Sequence, residues 1–101
     1  MPKVSQDVVV VGAGETRVGK LPGMESVQIQ AWAVQEAAAD CGVRLPEIDG
    51  LINLDPYAIP NSMFSSTLAE YLGLRPHFLT TVDVGGTVTA MTMLQQAVWA
   101  I

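Results

Sequence analysis

Asp83-Val84-Gly85-Gly86-Thr87 stands where an extended, β-branched run from Phe78 to Val82 gives way to a helical pattern. A strand that turns through two glycines into a helix presents bare backbone N–H groups, and the positive end of the helix dipole, to whatever lies above the strand. That arrangement suits an anion or a carbonyl oxygen on which negative charge develops. The missing side chains at Gly85 and Gly86 let an acyl group approach the backbone closely. The turn carries neither cysteine nor serine, so it can stabilise charge but cannot attack. Asp83, Gly85, Gly86 and Thr87 are the candidate substrate-binding residues; a tight turn beneath a core helix would need the same glycines without any ligand.

Other residue types that could do chemistry fit bland readings better. Gly12-Ala13-Gly14 after an apolar run begins a dinucleotide fingerprint, but Arg17 fills the third small position and no helix follows. Gly14 to Lys20 matches G-x-x-x-x-G-K, yet Leu21 offers no hydroxyl for magnesium and Pro22-Gly23 interrupts the helix that a P-loop requires. Both point to a structural loop. Cys41 continues an apolar stripe at the C-terminal end of its helix and so reads as a small buried hydrophobe. His77 stands alone before a strand, and Glu47, Asp49 and Asp55 read as turn residues. Met91, Met93 and Trp99 read as core.

The elements that position the glycine turn follow from periodicity. Asp7 to Val11 is a continuous β-branched run that suits a strand covered on both faces. Ser26 can cap a helix in which Val27, Ala31, Val34, Ala38 and Cys41 recur at helical spacing until Gly42. Ile48 to Leu54 is a second expected strand, followed by a loop with Pro56 and Pro60. A helix from about Ser62 to Leu72 would place Phe64, Leu68 and Tyr71 on one side before Gly73 ends it. Phe78 to Val82 is the third strand, and everything after Gly86 fits a third helix. Val88, Met91, Leu94, Val98 and Ile101 form its apolar stripe, which Ala90, Met93, Ala97 and Ala100 extend around most of the circumference. Such a helix is normally buried on several sides. Alternating strands and helices predict an α/β fold with a mostly parallel sheet and one buried central helix.

Half of the 101 residues are apolar and 15% are charged, which predicts a globular chain. A net charge of −5, with few and scattered Lys and Arg, argues against phosphate backbones and anionic lipid as partners. The expectation is a cytoplasmic protein with no nucleic-acid or membrane partner, since neither a signal peptide nor a long apolar span is apparent. One cysteine and one histidine provide neither a disulfide nor a zinc site of ordinary ligand count, so no metal is expected. The third helical pattern reaches Ile101 without a cap or a stop signal, so residues 1–101 are expected to be the N-terminal part of a larger domain.

Taken in order, "VVVVGAGETRVGKLPG", "AAADCGVRLPEIDGL", "LAEYLGL" and "VDVGGTVTAMTMLQQAVWAI" resemble the N-terminal region of the thiolase superfamily over nearly the whole chain. The likeness is to the branch related to sterol carrier protein X and thiolase-like lipid-transfer proteins. Active thiolases carry an Asn-x-x-Cys-x-Ser-Gly pattern here, whose cysteine takes the acyl group from coenzyme A. Matched residue by residue, Asp83 falls on the asparagine and Gly86 on the cysteine. Glycine forms no thioester, so the resemblance implies a cysteine-less member. It implies a coenzyme A thioester as substrate, no covalently bound cofactor, a homodimer with the third strand near its interface, and the kind of small OB-fold and zinc-ribbon partner subunit with which such members commonly work. The expected activity is retro-aldol carbon–carbon cleavage, as in steroid side-chain degradation. The alternatives are an acetyl-CoA acetyltransferase-like acyltransferase and a non-catalytic lipid or acyl carrier or structural subunit. The acid and base residues of such folds come largely from the C-terminal half.

Overall fold

A computed structural model describes residues 7–57 and 63–101. The expected Pro60 and the expected helix start at Ser62 lie outside the described residues. The chain is α/β: the described residues form three helices and a two-stranded parallel sheet in the order α1 (Ser26–Cys41), β1 (Gly50–Asn53), α2 (Phe64–Leu72), β2 (Phe78–Thr81) and α3 (Gly86–Ala100).

Helix α1 starts one residue earlier in its capping than the expected Ser26. Glu25 occupies the cap position, and its backbone N–H donates to Gln28 Oε1 at 2.8 Å, one arm of a capping box. Gly42 ends the helix in the left-handed region at φ 74°. A 3-10 turn at Leu45–Glu47 leads into β1.

Strands β1 and β2 pair in parallel with Gly50 opposite Phe78 and Asn53 opposite Thr81, and α2 is the crossover between them. The Val82 N–H donates to the Asn53 carbonyl at 2.9 Å, which carries the ladder one bond past the strand end.

The core forms where α2 meets α1 and the sheet. Phe64, Leu68, Ala69 and Leu72 of α2 pack with Ala31 of α1, Leu51 of β1 and Leu74, while Val27 and Val34 flank them. Tyr71 does not join this face and is largely exposed. The small residues Ser65 and Ala69 take the inward positions instead, because they let α2 approach its neighbours closely.

Two further expectations fail within the chain. Asp7 to Val11 forms no strand: Val9, Val10 and Val11 are 72%, 77% and 66% exposed, and no described strand pairs with them. An apolar β-branched run becomes a strand only where a ladder partner meets its backbone groups. Helix α3 packs on β1 but is not a buried central helix, with Thr89 as its buried residue and Met91 67% exposed. Two strands about 4.8 Å apart make a wall roughly one helix wide, too narrow to cover a helix that is apolar nearly all round.

Candidate functional site

Both parallel strands end on the same side of the sheet, and several polar residues lie there. β1 finishes at Asn53 and its exit carries Asp55 and Tyr57; β2 finishes at Thr81 and its exit carries Asp83, Gly85, Gly86 and Thr87. In open parallel sheets the carboxyl ends of the strands are where ligands bind, because helix N-termini converge on that edge.

The glycine turn has the geometry that the sequence suggests. Gly85 is the cap of α3 at φ 86°, and Gly86 begins the helix at φ 54°. A side chain on either would be strained, although open space surrounds both positions. Among the described residues no side chain caps the α3 N-terminus, and no carboxylate lies in its first turn. The first N–H groups of α3 have no partner within the helix, as at any helix start. Below them, Thr89 Oγ1 accepts the Val84 N–H at 3.2 Å and fixes the turn from inside. Asp83, Gly85, Gly86 and Thr87 are all exposed.

A second pair joins the two strand exits. The Tyr57 hydroxyl donates to Asp83 Oδ1 at 2.7 Å. This bond to the carboxylate holds the Tyr57 phenol above its ordinary pKa, with desolvation and the negative charge of Asp83 acting in the same direction. The phenol is kept as a neutral donor beside the glycine turn.

Beneath the rim lies a network that is buried at Asn53 and Ser65 and reaches the surface at Thr81. The Ser65 hydroxyl donates to Asn53 Oδ1 and, having one proton, accepts from Thr81 Oγ1, so that the first turn of α2 is tied to the ends of both strands. Asn53 Nδ2 and Asp55 Oδ1 are buried without a hydrogen-bond partner among the described residues. The sequence reading did not single out Asn53, Tyr57, Ser65 or Thr81. Their common signal is a polar residue at the carboxyl end of a strand or the start of the crossover helix.

The remaining candidates lie elsewhere. His77 precedes β2 and therefore stands at the opposite end of the sheet. Cys41 Sγ donates to the Ala37 carbonyl at 3.4 Å, as a packed thiol does. The first glycine loop packs instead of binding. A Cβ on Gly14 would sit 2.2 Å from the Ala37 nitrogen in the α1 backbone, and Glu15, Glu36 and Asp40 line the adjoining hollow of 620 Å³. Carboxylates there would repel a pyrophosphate. A more apolar hollow of 510 Å³ lies by the amino ends of the strands, between Ile48, Phe78, Met93, Ala97 and Ile101.

Among the described residues no helix is long and apolar enough to cross a membrane. No family model matches the chain, and no curated protein matches it.

Proposed function

We propose that residues 1–101 are the N-terminal part of a thiolase-like protein that binds a coenzyme A thioester and breaks a carbon–carbon bond in its β-hydroxyacyl group by a retro-aldol step. The observation that carries this reading is the open, side-chain-free start of α3 at Gly85 and Gly86, set at the carboxyl edge of a parallel sheet. When the Cα–Cβ bond breaks, its electron pair passes into the thioester and leaves an enolate oxygen carrying negative charge. The N–H groups of the first α3 turn are suited to accept that charge, and their dipole favours it. Glycine at the nucleophile position supports a route without an acyl-enzyme, because a retro-aldol step needs proton transfer and enolate stabilisation alone.

The same reading brings a homodimer with β2 near its interface, a small OB-fold and zinc-ribbon partner subunit, and a cytoplasmic setting. A second reading, a non-catalytic acyl carrier, draws its support from the apolar hollow between α3 and the amino ends of the strands.

The test is a pair of variants, Gly86→Ala and Gly86→Val, in the full-length protein, assayed for turnover of β-hydroxyacyl thioesters. Turnover falls stepwise with side-chain size while the denaturant midpoint is tracked in parallel, since the positive φ at Gly86 strains both variants. Wild-type turnover in both removes the turn from the chemistry. A covalent acyl adduct on these residues after incubation with an acyl-CoA would overturn the route without an acyl-enzyme.

A further inference from the structure

The lyase reading requires a group that takes a proton from the β-hydroxyl and later gives one to the enolate carbon. The thiolase likeness supplies no such group within residues 1–101. The rim of the site does: a phenol and a carboxylate 2.7 Å apart, one on each strand exit, with Asp83 three residues before Gly86.

We infer that Tyr57 and Asp83 are the acid–base pair of this site, with the Tyr57 oxygen facing the β-hydroxyl of the substrate. The inference rests on the proposed lyase reading and assigns its missing proton carrier. Three observations support it. Tyr57 is 70% exposed, so its hydroxyl is reachable by a ligand. An exposed hydrogen bond of this kind competes with water and contributes little to stability, so holding the fold together does not account for it. The pair also spans the exits of β1 and β2, the edge on which Gly85 and Gly86 open.

The step balances without a co-reactant. The β-hydroxyl gives its proton to Tyr57 Oη as the phenol proton passes to Asp83 Oδ1. The O–H electron pair becomes the new C=O bond, the Cα–Cβ bond breaks, and its pair forms the thioester enolate. The proton then returns from Asp83 through Tyr57 to the enolate Cα. A ketone or aldehyde leaves together with a shortened acyl thioester. A carboxylate that accepts from the phenol in the resting state is oriented to receive that proton.

The experiment compares full-length wild type, Tyr57→Phe and Asp83→Asn for release of the carbonyl product from a β-hydroxyacyl-CoA. It also measures binding of the analogue that lacks the β-hydroxyl. Tyr57→Phe lowers kcat by about 100-fold or more while analogue affinity stays within about threefold, and Asp83→Asn lowers kcat in the same direction. Cleavage by wild type that Tyr57→Phe leaves within about threefold overturns the pair but keeps the lyase reading. No cleavage by wild type of any β-hydroxyacyl-CoA removes the lyase reading and the pair with it.

Discussion

The Ser65 hydroxyl donates to Asn53 Oδ1, so one hydrogen bond fastens the first turn of α2 to the last residue of β1. Asn53 is 4% exposed and already carries one buried atom, Nδ2, without a partner among the described residues. The end of β1 is held by a buried polar contact.

Replacing Ser65 with alanine therefore leaves Asn53 Oδ1 without the Ser65 donor in a buried setting. The expected loss is about 1–3 kcal/mol of unfolding free energy, the cost of a stranded buried acceptor. Urea denaturation of Ser65→Ala against wild type reads it, and an unchanged midpoint would show that the oxygen finds another partner.

Glycines separate into those that packing demands and those it tolerates. Gly14→Ala drives a methyl to 2.2 Å from the α1 backbone, which has no rotamer with which to yield. A destabilisation of about 1–3 kcal/mol is expected by the overpacking rule. Gly50→Ala meets the Phe78 Cβ at 3.8 Å, an ordinary contact, so its midpoint should stay within about 0.5 kcal/mol of wild type. Equal effects at the two positions would contradict the close approach at Gly14.

The Tyr57 phenol is held protonated by Asp83, so its folded pKa lies above its unfolded one. The stabilisation from this bond is complete below the ordinary phenol value of about 10 and is lost as pH rises from there through the raised folded value. Ultraviolet titration of tyrosinate should show one tyrosine ionising late in wild type and returning toward the ordinary range in Asp83→Asn. Identical titration curves would mean that the bond does not form in solution.

Leu68 lies at the centre of the core with 1% of its surface exposed, whereas Tyr71 on the same helix is 54% exposed. Leu68→Ala should cost about 2–5 kcal/mol, since the cavity cannot close fully between two helices and a sheet. Tyr71→Ala should stay near 0.5 kcal/mol. A cost at Tyr71 as large as that at Leu68 would put Tyr71 on the inward face of α2, where apolar periodicity alone suggested it.

That exchange of Tyr71 for Ser65 and Ala69 shows what a sequence conceals. Helical spacing and terminal glycines located α1, α2 and α3 because those signals are local. The strands at β1 and β2, and their parallel sense, followed from their alternation with helices. Asp7 to Val11 carried as strong a strand signal, but strand formation depends on a neighbour's backbone, which composition does not report. Close packing also prefers small residues where hydrophobicity ranks large ones, which is why Tyr71 looked inward.

The site divides in the same way. Gly85 and Gly86 were legible because a strand, a glycine pair and a helix are contiguous. Tyr57 meets Asp83 across 26 positions of chain, and Ser65 meets Asn53 and Thr81, only because the register sets Asn53 opposite Thr81. Nothing in either loop taken alone announces its partner.

A pattern search that stopped at Gly12-Ala13-Gly14 would file the chain among dinucleotide carriers. The spine of α1 already sits hard against Gly14, carboxylates line the hollow beside it, and the Ala13 amide that might have greeted a cofactor's phosphates is claimed by Asp40 at 3.0 Å. Those glycines act as a hinge plate pressed flat against a beam, and engineering nucleotide affinity into this loop would first have to prise the two apart.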